Sequence, residues 1–590
     1  MASTLQGRVS DARVPRAEVR PAARCPTPVV AAVPECALPT HPYAQAEFPA
    51  PGSADELTAF AALQRRLPAL FRRVFPDPLA TQTIVVLPGL TLDPAEIAKL
   101  KGAPHYEERL LCLLMLLRRP RTHVVYVTSR PLDPAIVDYY LHLLPGVPLS
   151  HARRRLTLLA CQDAGDRTLT EKVLARPRLI ERIRAAIPDV EAAHLTCFNA
   201  TPLERTLAVR LGIPLYACDP ALGWIGTKSG SRTLFRRAGV ALPDGVEGLR
   251  DAHDLVRALT ELKRRQPDLS RAVVKLNDGF SGEGNALFRF DGSPGGAGLE
   301  RWVRAELPAR MRFEAAGESW ERFRDKLERM GGIAECWLDG PEVRSPSVQC
   351  RIDPLGGISI VSTHDQVLGG PSGQIFVGCT FPADPAYCGA IQAMALRAAE
   401  ALRGEGVIGR FGIDFVCRRG GGGWEAAALE VNLRKGGTTH PFLTLQYLTD
   451  GEYDPQRGSY ETLTGRPSFY YASDNLEDPA YRGLSPDDLL EIAVENGLHW
   501  DAAAQQGVVF HLMGALSEFG KLGTVCIGES PRAAARLYHE TVAVLDRATR
   551  AHAADDAVAP AVRANGKTAF APRILGIFGA HGPAAQAAHG

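Results

Sequence analysis

Glu430, Asn432 and Arg434 stand at i, i+2 and i+4 within GVIGRFGIDFVCRRGGGGWEAAALEVNLRKGGTTHP, Gly406 to Pro441. Side chains on an extended strand alternate between faces, so these three share one face if the run stays extended. The glycine-rich break Arg418 to Gly423 reads as the tip of a hairpin whose other strand brings up Asp414. Two carboxylates and an amide oxygen are hard ligands that suit Mg²⁺ held together with substrate phosphates. An arginine beside them can neutralise a transferring phosphoryl group. Solvated charges on a half-exposed hairpin would show the same residue types, so the rest of the chain has to decide.

Two upstream segments bear on that choice. In AVVKLNDGFSGEGNALFRF, residues 272–290, an apolar strand ends in Lys275 and a loop follows with glycines at 279, 282 and 284 around Ser281. Such a loop lets the backbone approach a ligand, and consecutive amides can cradle phosphate oxygens, although glycine-rich hairpin tips are common. In TKSGSRTLFRRAGVALPDG a threonine precedes Lys228, and a helix runs to a glycine stop at Gly239. Between these and the hairpin, Ile333 to Leu338 reads as a buried strand, followed by a turn and an alternating strand through Val343, Val348 and Cys350. Ser345, Ser347, Gln349 and Gln366 are polar positions on these strands, facing either a substrate or solvent.

The elements that must position these residues follow two patterns. From Thr83, apolar runs at Ile84 to Leu87, Val124 to Val127, Leu156 to Ala160, His194 to Phe198 and Leu215 to Cys218 alternate with helical segments, which implies a mostly parallel sheet covered by helices. Its first strand ends in LPGLTLD, which is not a dinucleotide fingerprint. A helical period spans Ala54 to about Val74. After Pro441 come a polar aromatic segment, a capped helix from Ser485, strands at Val508 to Met513 and Gly523 to Ile527, and a long amphipathic helix from Ser530.

Composition excludes several classes. With 590 residues and 45% hydrophobic content the chain can build several cores. Lysine and arginine total 67 against 66 acidic residues, so no global field favours nucleic acid or a membrane surface. Twelve cysteines without CxxC spacing argue against zinc ribbons and a disulfide framework, and a reducing cytoplasm fits best. The chain shows no leader-like apolar run, and its longest apolar cluster falls far short of the ~20 residues of a membrane span.

Taken in order, Lys228, Lys275 with GFSGEGN, the acidic-apolar hinge Glu335, Cys336, Trp337, Leu338, and Asp414 followed by LEVNLR resemble the ATP-grasp superfamily. SPSVQ, THDQVLGG, GRFGIDFV and LEVNLRKGGTTHPF narrow the resemblance to the pheganomycin-type peptide ligases, over residues 83 to about 550. It implies an α/β and α+β chain with a pre-ATP-grasp α/β domain at 56–225, a two-lobed ATP-grasp domain at 226–450 and a small C-terminal α/β domain at 451–550, while composition makes 1–55 a disordered Ala/Pro-rich extension and 551–590 a disordered tail.

The implied activity is an ADP-forming carboxylate-amine ligase of specialised metabolism that uses ATP and two Mg²⁺ ions, or Mn²⁺, through an acyl phosphate. Its partners would be a small-molecule carboxylate and an amine or peptide, with a homodimer as an option. By resemblance, Lys228 and Lys275 bind phosphates and the lid with Gly279, Ser281, Gly282 and Gly284 closes over them. The hinge holds adenine, Asp414, Glu430 and Asn432 hold metal, and Arg434 meets the transferred phosphoryl group. Gly436 and Gly437 form a backbone nest, and His440 is either a general base for the amine or a packing residue. The rival reading is a non-catalytic ATP-binding regulatory or scaffold protein of the same fold, and a phosphotransferase is a third.

Overall fold

The computed structural model describes residues 48–563 apart from 93–96, 99, 280, 281 and 283, and for 551–563 the backbone alone. Of the expected extension at 1–55 and tail at 551–590, residues 1–47 and 564–590 lie outside the described residues. The helical period after Ala54 resolves into two helices, Ala54–Gln64 and Leu67–Val74. Ser53 caps the first by accepting from Glu56 N–H at 3.2 Å.

A four-stranded parallel sheet follows in the spatial order Leu156–Ala160, Thr122–Thr128, Gln82–Leu87, Ala193–Cys197. Its central strand Gln82–Leu87 is buried throughout, as a parallel strand covered on both faces must be. The expected strand at Leu215 to Cys218 reduces to a single bridge between Leu215 and Leu195. A short apolar run is buried in either case, so its period did not distinguish strand from loop. The 3-10 helical segment Ala103–Arg118 buries Leu110, Leu111, Leu114 and Leu117 in one core with Leu512, Met513, Leu516 and Leu522 of the C-terminal region.

Two antiparallel sheets form the middle of the chain. The smaller has the order Gly245–Leu249, Gly332–Cys336, Arg271–Leu276, Asn285–Arg289, Met311–Phe313, and shares a core with helices Ala252–Arg265, Leu299–Arg310 and Trp320–Met330. The larger has nine strands. Gly409–Gly420 lies between Pro346–Ile352 and Val343–Arg344 and also pairs with Gly423–Asn432, while Pro346–Ile352 continues to Ile358–Gly369 and Ile375–Phe381. Helix Pro385–Gly404 packs on this sheet through Ile391, Ala395 and Ala398.

Apart from a two-stranded ribbon, Glu452–Asp454 with Ser459–Glu461, the C-terminal strands join the larger sheet. Phe469–Glu477 pairs with Ile375–Phe381, and Lys521–Gly528 and Gly507–His511 extend the same sheet outward. Ser485 and Asp488 close a capping box on helix Pro486–Glu495. The last helix, Pro531–Arg563, runs past the boundary expected at 550.

Candidate functional site

A cavity of about 1060 Å³ takes its lining from all of these parts. The smaller sheet supplies Lys275 and Glu335, and the larger supplies Ser347, Gln349, Gln366, Asp414, Glu430 and Asn432. Tyr106 and Arg109 come from the first domain, and Asp474, Asn475 and Lys521 from the C-terminal strands.

The hairpin is set as the spacing predicts. Asp414 pairs with Glu430 across it, and Gly412 with Asn432. A bulge between Asp414 and Phe415 lets Glu430 and Asn432 keep one face toward the cavity while Ala428 faces the core. Gln366 donates to Asp414 Oδ1 and Asn432 to Asp414 Oδ2, each at 2.9 Å. Burial raises the Asp414 pKa, and the charges of Lys228 and Arg434 oppose that rise. The strand ends at Asn432, and a tight turn with Arg434 N–H on Asn432 C=O, 2.7 Å, carries Arg434 to the cavity. Burial pushes the Arg434 pKa down to about 10, against the pull of Asp414. Lys435 turns away into the first domain, where its Nζ donates to Thr196 Oγ1 at 3.0 Å, and so fixes the chain beyond Arg434.

Lys228 opens helix Lys228–Arg237, capped by the Thr227 hydroxyl, which accepts from Gly230 N–H at 3.0 Å. Its ammonium pairs with Glu430. Burial, with the charge of Lys275, lowers its pKa from 10.5 to about 7. Lys275 pairs with Glu335, whose other oxygen accepts from Arg232 Nη1 at 2.9 Å. Glu335 is 1% exposed, so it belongs to an ion-pair cluster, while Cys336, Trp337 and Leu338 continue along the cavity wall.

The glycine loop behaves as its composition suggests. Gly282 has φ +84°, and a Cβ there would lie 2.1 Å from the Gln374 carbonyl oxygen, an approach open to glycine alone. Asn285 Nδ2 donates to Gln374 Oε1 at 3.0 Å, a second link between this loop and the neighbouring one. Gly279 and Gly282 line the cavity. Gly284 instead packs on Gly279, whose Cα would be 3.1 Å from an added Cβ. Ser281 lies outside the described residues.

Of the polar strand residues, Ser345, Ser347, Gln349 and Gln366 all line the cavity. The buried Ser347 hydroxyl has no hydrogen-bond partner among the described residues. Gly436 and Gly437 also line it, but Gly436 N–H already donates to Thr439 Oγ1 at 2.9 Å, which weakens the expected nest. His440 is not brought to the cavity. Its ring is buried, with Nε2 3.1 Å from Asp474 Oδ1 and 3.0 Å from His511 Nε2, and burial lowers its pKa to about 4. A base for an incoming amine must reach that amine, so of the two readings of His440 the packing one fits this placement.

Two cavity residues escaped sequence reasoning. Arg109 is 2% exposed and donates through Nη1 to Asp474 Oδ2 at 3.2 Å. In the sequence its one trace is a charge placed directly before the apolar run Leu110 to Leu117. Asp474 sits on a strand of mixed polarity and carries no local signal.

The fold and this site define an ATP-dependent ligase architecture in which one cavity joins Lys228 and Lys275 to the hairpin of Asp414 and Glu430. The chain belongs to the ATP-grasp superfamily, in the family of pheganomycin-type carboxylate-amine ligases. The L-propargylglycine--L-glutamate ligase of Streptantibioticus cattleyicolor is 34% identical over 437 residues, covering 72% of this chain and 86% of that protein. The family described as IQCH-like, ATP-grasp matches residues 222–291 and 305–454, and the PGM1 C-terminal domain matches 488–541. The IQ motif-containing protein H of Danio rerio is 24% identical over 380 residues, covering 57% of this chain and 36% of that protein. Among solved structures, the N5-carboxyaminoimidazole synthetase of Staphylococcus aureus with ADP is similar at a TM-score of 0.47 and 11% identity, over 79% of this chain and 98% of that one.

Proposed function

We propose that this cavity activates a carboxylate with ATP as an acyl phosphate, releases ADP, and passes the acyl group to an amine. The observation that carries the reading is the convergence of Lys228, Lys275, Asp414, Glu430, Asn432 and Arg434 on one cavity, from segments nearly as far apart as the ends of the central domain. Two carboxylates paired across a hairpin are not something a half-exposed strand needs.

Lys228 and Lys275 hold phosphate oxygens as point charges, and the loop at Gly279 and Gly282 covers them, keeping water from a reactive acyl phosphate. The Cys336 and Trp337 N–H groups already donate to the Asp244 and Arg271 carbonyls, so adenine recognition by the hinge passes to the backbone of Leu338. Asp414, Glu430 and Asn432 suit two divalent ions, Mg²⁺ or Mn²⁺. The Asn432 amide nitrogen faces Asp414, which leaves its carbonyl oxygen as a ligand. Bound Mg²⁺ supplies charge neutralisation on the phosphates. Arg434 offers a planar pair of donors to the transferred phosphoryl group and to the tetrahedral oxyanion that follows.

The name of the Streptantibioticus relative couples two amino acids, and we carry that class over: an amino acid or related acid joined to an amino acid, amine or peptide. The described cysteines are all free and buried, which suits a reducing cytoplasm. Among the described residues no helix is long and apolar enough to cross a membrane.

The test incubates the protein with Mg²⁺, ATP and a panel of amino acids and short peptides. The expected products are ADP, phosphate and an amide identified by mass, with a hydroxamate trapped by hydroxylamine. Release of AMP and pyrophosphate would contradict the acyl-phosphate route.

A further inference from the structure

Arg109 enters the cavity from the first domain, on the helical segment Ala103–Arg118 that is locked to the C-terminal strands by a shared core. Its guanidinium lies between two aromatic faces, 4.4 Å from the Tyr106 ring centroid and 4.5 Å from that of Phe198. Nη1 donates to Asp474. Nε and Nη2 are buried and have no hydrogen-bond partner among the described residues. A buried cationic donor pair left unmet is costly, and native structures rarely keep one without a purpose.

The identity of the unmet atoms is informative. Nε–H and the adjacent Nη2–H form the side edge of the guanidinium, two parallel donors spaced to meet both oxygens of one carboxylate. An oxyanion with two oxygens in the guanidinium plane satisfies this edge, and among the substrates of the ligase reading the group of that kind outside the triphosphate is a carboxylate.

Asp474 cannot take this role. Its Oδ1 faces His440 and His511 at 3.1 and 2.7 Å, and its Oδ2 faces Nη1, so it is held on the opposite edge. His440, Asp474 and His511 are also spaced closely enough to hold an ion, but Arg109 already supplies the cation at this carboxylate. Arg434 and Lys521 line the same cavity, and the Arg434 and Arg109 charges oppose each other, which an anionic group between them would relieve.

We propose that Arg109 binds a bystander carboxylate of an amino-acid substrate, one that is neither phosphorylated nor joined. The inference rests on the ligase reading, and it makes the substrate at this end a free acid rather than an amide or ester. The carboxylate belongs either to the activated acid or to the incoming amino acid, and both present the same chemistry to the guanidinium.

The test uses the full chain in two independent assays. In the first, ADP release is measured for each active amino acid and for the same compound with one carboxylate converted to a carboxamide. The wild type should show at least a tenfold higher KM for one such amide, and the substrate that suffers identifies the source. In Arg109→Gln the acid and amide should become equivalent, with the KM for ATP changed less than twofold. Arg109→Lys, which keeps the charge without the fork, should retain part of the preference and serves if the glutamine variant does not fold. In the second assay, L-glutamate, its α-amide and L-glutamine are titrated calorimetrically into protein holding a non-hydrolysable ATP analogue, which needs no turnover. Acid-over-amide binding that depends on Arg109 without ADP formation would sink the ligase reading and leave the site standing. Product formation with an acid-to-amide ratio untouched by the substitutions, or no preference in the wild type, would overturn the site alone.

Discussion

Asn432 donates its amide N–H to Asp414 Oδ2 at 2.9 Å, from two residues along the strand beyond Glu430, the residue paired with Asp414. A neutral donor on a carboxylate with raised pKa keeps that group oriented without neutralising it. The hairpin is thus arranged before any cation arrives.

Arg434→Ala should lower kcat by about 100-fold, from the ~3 kcal/mol that single preorganised electrostatic contacts supply to a transition state. Steady-state ADP release at saturating substrates measures it. Glu430→Gln should fall at least as far, since it removes a metal carboxylate and strands the Lys228 ammonium. Melting temperatures near wild type would place both losses in the chemistry, and undiminished turnover in both would refute the site.

Lys228 ties the site to pH. Its pKa falls from 10.5 to about 7, so between those values the unfolded chain binds the extra proton. Stability from this group therefore rises with pH across that window, and the cost of burying its charge is fully present below about pH 7. A bound triphosphate restores the charged form. Nucleotide binding at pH 8 should therefore take up a proton, seen as binding enthalpy that varies with buffer ionisation heat. Lys228→Met should abolish the uptake, and an unchanged uptake in that variant would assign it elsewhere.

Gly282→Ala should damage nucleotide use more than folding. Left-handed backbone costs a non-glycine residue roughly 1–2 kcal/mol, and the added Cβ would meet the Gln374 carbonyl at 2.1 Å. A rise of about tenfold in the KM for ATP, with the melting temperature nearly unchanged, is the expected result. A normal KM would show that the loop does not need this approach.

The hairpin was legible because its chemistry is local: alternation sets Asn432 beside Glu430, whereas Arg434 lies past the end of the strand and reaches the cavity by a turn. The lysines were legible through their loops, since Thr227 before a helix and three glycines after Lys275 are signals within one turn of the chain. Arg109 and Asp474 were not, because what makes them notable is burial against each other across 365 positions. His440 stayed open between base and packing residue for the same reason, since nothing near it in sequence announces Asp474 or His511. Two C-terminal strands, Gly507–His511 and Lys521–Gly528, were legible, while Phe469–Glu477 reads only as part of a polar aromatic segment, and local period says nothing about which sheet a strand joins.

Truncation after residue 450 should give an insoluble or unfolded chain. It removes Phe469–Glu477 from the side of Ile375–Phe381 and leaves that strand's hydrogen-bonding edge bare. It also uncovers Leu110, Leu111 and Leu114. Expression and size-exclusion of the truncated chain decide the matter, and a soluble monomer would show the segments to be separable.

The continuity of that sheet bears on how such enzymes diversify. A cassette that could be exchanged at a linker would let new substrate pockets be spliced onto an old nucleotide machine. Here Asp474, Asn475 and Lys521 stand on strands woven into the same fabric as Asp414. A change of substrate must come by altering side chains in place, and every such change is tested at once for its effect on the frame that holds the phosphates.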